Sequence, residues 1–128
     1  MAQPNELDRS RYGRRPSDEA SIHPSRRSPI DLVHLARQTA GDVALEIEVL
    51  GLLVIQIERV RPVIEAASEI ERKRLAHALN GAARNLGAFP LADAAERLEH
   101  APGEQSAMDG LLSELDHTRN YARALASA

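Results

Sequence analysis

Arg74-Leu75-Ala76-His77-Ala78-Leu79-Asn80-Gly81-Ala82-Ala83-Arg84-Asn85-Leu86-Gly87-Ala88 carries apolar residues at helical spacing around one histidine. On a wheel with His77 at zero, Leu75, Leu79, Ala82 and Leu86 fall roughly 140° to 200° away at about 100° per residue. They form one stripe, which requires a core to face. Lys73, Asn80, Gly81 and Arg84 fall within roughly 60° of His77 on the same wheel. The histidine therefore sits in the middle of the polar face of an amphipathic helix.

The flanks give that helix its ends and its neighbours. Ser68-Glu69-Ile70-Glu71 has the form of a capping box at the start, and Gly87 is a left-handed cap residue at the end. Pro90 opens a following helix with Leu91, Ala94, Ala95 and Leu98 at helical spacing. Pro102-Gly103 ends it, and Ser106 with Asp109 is expected to cap a last helix through Leu111, Leu112, Leu115 and Leu125. Upstream, Ser28-Pro29-Ile30-Asp31 predicts a short helix with Ser28 as its cap, running to about Gln38 and closed near Gly41. Asp42 then caps a long helix carrying one apolar row of Val43, Ile47, Leu50, Val54 and Ile57. A second row of Val49, Leu53, Val60 and Ile64 makes two of its sides apolar, as in a helix packed between neighbours. Pro62 is expected to kink this helix or to end it near Arg61.

No segment alternates at period two, and no internal repeat is visible. The expected fold is all-α: an antiparallel up-down four-helix bundle over residues 42–126, with a short additional N-terminal helix. Composition agrees, because 43% of the 128 residues are hydrophobic but only 2% are aromatic. A core of Leu, Ile, Val and Ala suits helices better than sheets. Residues 1–27, with Pro4, Pro16, Pro24 and scattered Ser and Arg, lack apolar periodicity and read as a disordered basic tail ahead of one domain over 28–128.

Several function classes are excluded by the same inventory. There is no cysteine, so disulfides, thiolate zinc sites and cysteine nucleophiles are out. The longest apolar run, Val49 to Ile55, is far too short to cross a bilayer about 30 Å thick. The polar N-terminus has no signal-peptide core, so a cytoplasmic protein without a membrane role is expected. A net charge of −3 argues against nucleic-acid binding, although Arg9, Arg11, Arg14, Arg15, Arg26 and Arg27 crowd the first stretch. Glu114 and His117 form a single Glu-x-x-His, whereas a di-iron bundle needs two with further glutamates; no metal site is expected. No phosphate-cradling glycine loop or nucleophile elbow is present. His23, His34, His100 and His117 read as ordinary surface or helix-end residues.

Gly81 is the residue that needs a reason. A mid-helix glycine costs about 1 kcal/mol relative to alanine, and on the exposed face packing does not demand it. Clearance for a bulky group approaching the His77 imidazole supplies that reason. Cations beside an imidazole favour its neutral, nucleophilic form, and Lys73, Arg74 and Arg84 would then stabilise a phosphoryl group added to it.

His77-Ala78-Leu79-Asn80-Gly81, the following Ala82-Ala83-Arg84-Asn85-Leu86-Gly87-Ala88, and the later Ala95-Glu96-Arg97-Leu98-Glu99 resemble the histidine-containing phosphotransfer (HPt) domain family. Its pattern runs His-x-Leu-Lys-Gly, a small-residue stretch, a second glycine followed by alanine, and then an acidic helix. The Leu35 to Leu50 region with its Gly41-Asp42 turn is similar to the family's front end, and the resemblance covers Ile30 to Leu125. One position departs: the family's usual lysine is Asn80, so Arg84 or Lys73 would have to supply the charge. The resemblance implies a monomeric phosphorelay intermediate with His77 as phosphoacceptor and no cofactor or autonomous kinase activity of its own. Its partners would be receiver domains of response regulators or hybrid histidine kinases, which bring the magnesium. Asn80 supports a rival reading, in which a degenerate relative docks on a receiver or kinase and inhibits it without carrying phosphate.

Overall fold

The computed structural model describes residues 27–127. The expected tail, its arginines up to Arg26, and His23 therefore lie outside the described residues, while Arg27 lies inside them. Among the described residues there are five helices and no strand: α1 (Leu32–Gln38), α2 (Val43–Ala66), α3 (Glu69–Asn85), α4 (Phe89–His100) and α5 (Gln105–Ala126).

Local chemistry explains most of the ends. The Asp42 carboxylate accepts from the Leu45 amide at the start of α2, and the Ser68 hydroxyl accepts from the Glu71 amide at the start of α3, each satisfying an orphan donor. Gly87 ends the α3 region at φ +84°, a conformation that glycine adopts without steric penalty. A Cβ there would also lie 3.0 Å from the Asp31 carbonyl and 3.2 Å from the His34 side chain. The close approach is used, because the Asp31 amide donates to the Gly87 carbonyl at 2.8 Å and so ties α1 to the α3–α4 turn. His34 reinforces that tie. Its Nε2 lies 2.9 Å from the Asn85 carbonyl, and its ring stands edge-on to Phe89 at 5.2 Å. His34 is thus a half-buried anchor, not the ordinary surface residue expected of it.

Three helix details differ from expectation. The cap of α1 is Asp31, whose carboxylate accepts from the Val33 and His34 amides, while the Ser28 hydroxyl donates to the Ile30 carbonyl instead. Ile30 is fully buried, and the cap lies one residue beyond that anchor. The last helix begins after Glu104 with no side-chain cap, so Ser106 lies inside it. Pro62 does not end α2, which continues to Ala66. The position is exposed, so water can solvate the carbonyl left without a donor. Burial of Ile64 and the bidentate Arg61–Asp116 pair, at 2.8 and 3.0 Å, hold the final turn in place.

Helix α3 packs most extensively on α4, α2 on α5 and α4 on α5, whereas α2 and α3 touch only lightly. The core sits among them, with Leu53, Ile57, Leu79, Leu91, Leu98 and Leu111 almost completely buried. Ala76 and Ala83 on α3 and Ala95 on α4 are fully buried too; their small side chains let those two helices approach closely. This turns α3 from the expected orientation. Its core stripe runs through Ala76, Leu79 and Ala83, and Leu75, Ala82 and Leu86 are only half-buried. On α2, Leu50, Leu53, Ile57 and Ile64 face the core, but Val43 and Ile47 stay largely exposed.

Candidate functional site

His77 lies at the middle of α3, and its side chain is 76% exposed. The rotation of α3 towards α4 brings its Nδ1 to 2.8 Å from Oε2 of Glu99, near the C-terminal end of α4. The Glu99 side chain is only 17% exposed, held between the helices while the imidazole projects outward. A carboxylate only accepts hydrogen bonds, so this contact keeps a proton on Nδ1. In the neutral ring, Nε2 then carries the lone pair. No other side chain among the described residues hydrogen-bonds the ring.

Gly81 follows one turn later on the same side of α3, and a Cβ built there meets nothing within 4 Å. The glycine is therefore not required by packing, and the space beside His77 is open. Lys73, one turn before, is exposed and has no ion-pair partner among the described residues.

The other expected cations are arranged differently. Arg74 is turned to Glu71 in an i,i+3 pair. Arg84 donates from Nε and Nη2 to Oδ1 of Asn80 at 3.2 and 3.1 Å. Its Nη2 also reaches Asp93 and Glu96 of α4, both at 3.3 Å. Asp93 is in turn held by Arg27 at 2.6 Å. The structure thus brings His77, Lys73, Asn80 and Gly81 onto one face. It commits Arg74 and Arg84 to carboxylates, whereas Lys73 pairs with no carboxylate among the described residues.

Sequence reasoning missed Glu99 as part of the site. The acidic run of α4 was visible, but only the packing of α3 on α4 shows which acid meets the ring. Elsewhere, His117 Nδ1 and Glu114 Oε1 lie 4.0 Å apart. Among the described residues no group of three or more His, Cys, Asp or Glu side chains is placed to hold a metal ion. No described helix is long and apolar enough to cross a membrane.

The sequence model of the Hpt domain family matches residues 31–128. The chain belongs to that family, the histidine phosphotransfer modules of two-component signalling, which interact with receiver domains in phosphorelays. Comparison with curated proteins gives no match, and comparison with solved structures gives none either.

Proposed function

We propose that this protein is a cytoplasmic phosphorelay intermediate that carries a phosphoryl group on Nε2 of His77, taking it from one receiver domain and passing it to another. The observation that carries the reading is the exposed imidazole with Nδ1 hydrogen-bonded to Glu99 and open space at Gly81. The Nε2 lone pair attacks phosphorus of the receiver's aspartyl phosphate. An N–P bond forms while the acyl-phosphate P–O bond breaks, and the aspartate leaves as its carboxylate. Positive charge develops on the ring during attack, and the Glu99 carboxylate at Nδ1–H stabilises it; the proton then shifts towards Glu99 or to water. Onward transfer reverses these steps at a second receiver. Phosphoryl transfer rests on positioning and charge stabilisation, so the magnesium on the receiver and Lys73 on this chain supply the cations.

The bundle reading belongs with this proposal. Contacts of His77 with Glu99 and of Arg84 with Asp93 run in opposite directions along α3 and α4. The same holds for Arg61 with Asp116 and Glu58 with Arg123 along α2 and α5. They support an antiparallel up-down bundle of α2 to α5, with α1 as the additional N-terminal helix. One observation favours the rival reading of a docking inhibitor: Arg84 donates to Asn80 Oδ1 and to Asp93 and Glu96 of α4, so its charge is turned to acids and not to a phosphate. Incubation with a phosphorylated receiver decides between them, since a carrier takes an acid-labile, base-stable label and an inhibitor binds without one.

A further inference from the structure

Ile70 is an apolar side chain that the bundle does not use. It stands in the first turn of α3 and is 85% exposed, more than any other large apolar residue among the described residues. It does not line the groove between α2 and α3, whose wall on α3 is made by Leu75, Ala78 and Leu79. Burial in the fold therefore does not account for an isoleucine here. Helix propensity does not either, since alanine, glutamate or lysine would hold an exposed turn better.

Its position relative to His77 supplies the account. Seven residues at about 100° each bring Ile70 to within roughly 20° of His77 on the wheel, so both project from the same side of α3. At about 1.5 Å per residue they lie roughly 10 Å apart along the axis, with Lys73 exposed between them. The chain belongs to a family whose members interact with receiver domains, and a receiver whose aspartate reaches Nε2 must cover the ring. A specific interface of ordinary size buries about 800 Å² on each partner, a round patch of roughly 16 Å radius. Centred on His77, that patch includes Ile70, on the opposite side of the ring from Gly81. We propose that Ile70 is an apolar docking anchor that sets which receivers this chain accepts. It fits a receiver presenting an apolar patch about 10 Å from the reacting aspartate, because contact removes apolar surface of both partners from water. It rejects a receiver presenting a charge there, which would lose its water and gain no partner. The proposal rests on a receiver docking over His77, which carrier and docking inhibitor have in common, and not on phosphate being carried.

The test uses the full chain and the purified receiver domains of its source organism, with calorimetric titration for affinity and single-turnover transfer at increasing receiver for rate. Ile70→Ala should weaken binding of the receiver that the wild type holds most tightly by roughly tenfold or more, as expected for one buried aliphatic side chain. Ile70→Asp should weaken it further, and Ile70→Leu should keep it near the wild-type value. Across the set, Ile70→Ala should narrow the gap between tightly and weakly bound receivers. The transfer rate at saturating receiver should be unchanged in all three variants, because the side chain touches no reacting atom, and thermal unfolding should come at no lower temperature for Ile70→Ala. Wild-type affinity in both Ile70→Ala and Ile70→Asp overturns the proposal, as does a chain that binds no receiver of the set. A loss of saturating rate equal to the loss of affinity, or a destabilised Ile70→Ala, overturns it too. Labelling of His77 is scored separately: a wild type that binds and stays unlabelled contradicts the carrier reading, while the affinities of the variants still decide this one.

Discussion

Replacing Gly81 with glutamine separates stability from transfer. The position is exposed, lies inside α3, and a Cβ there would meet no side chain or neighbouring helix within 4 Å. Nothing in the fold must move, so the dominant change is the gain in helix propensity, about 0.5–1 kcal/mol. For a domain of this size that gain raises Tm by roughly 2–8 °C. The new side chain leans towards the helix N-terminus, as helical side chains do. It then stands over the turn carrying His77, where residues four apart lie about 5–6 Å apart between Cβ atoms. A receiver kept even about 1 Å from its in-line position loses roughly a hundredfold in rate. Thermal unfolding followed by circular dichroism gives the first number, and single-turnover transfer from a phosphorylated receiver gives the second. Gly81→Ala is the control, with a similar gain in Tm and transfer much closer to wild type. A fall in Tm for the glutamine variant, or unchanged transfer in a stabilised protein, would refute the clearance argument.

Glu99→Ala should slow transfer about tenfold, because one charge-assisted hydrogen bond is worth roughly 1.5 kcal/mol, while leaving α3 and α4 folded; unchanged rates would show that the contact has no chemical role. Lys73→Ala should slow transfer or shorten the phosphohistidine lifetime more than Arg84→Ala does, since among the described residues acids engage Arg84 but not Lys73, and the reverse order would mean that Arg84 leaves its network on docking. Thr118 is fully buried with its hydroxyl unpartnered among the described residues, so Thr118→Val should raise stability by roughly 1 kcal/mol in urea unfolding; a loss would reveal a hidden hydrogen bond. The hydrogen bond from Arg61 holds the Asp116 carboxyl below its ordinary value. Its contribution to stability is therefore complete above the normal aspartate range and is lost as pH falls through the lowered value. Wild type and Asp116→Asn should differ in stability at neutral pH and converge in acid, and a constant gap would contradict the assignment.

Much of this structure is legible where the controlling interaction is local. Asp42, Ser68 and Gly87 act within one turn of where they stand, and each marks a helix end that the sequence predicts. Asp31 outcompetes Ser28 as a cap because Ile30 is pulled into the core, a long-range demand that no local pattern carries. Pro62 stays within α2 for a similar reason, since Ile64 and Arg61 are held by distant partners. The exposed side of α3 is readable from periodicity, and His77 lies on it. The exact facing is not, because Ala76 and Ala83 look no more buried than Ala78 or Ala82 until α4 is packed against them. Glu99 meets His77 across 22 residues, so this part of the site depends on the α3–α4 packing angle. The engagement of Arg84 by Asp93 and Glu96 is hidden from the sequence in the same way.

If His77 carries the phosphoryl group, a labelling experiment on a single-residue variant reads it out. Wild-type protein and His77→Gln are incubated with a phosphorylated receiver and magnesium, with circular dichroism confirming that both are folded. Wild type should take up an acid-labile, base-stable label, and His77→Gln should take up none while still binding the receiver, because docking rests on the surface around the ring. Label surviving in His77→Gln on His34, His100 or His117, or a wild type that binds the receiver and stays unlabelled, would contradict the account.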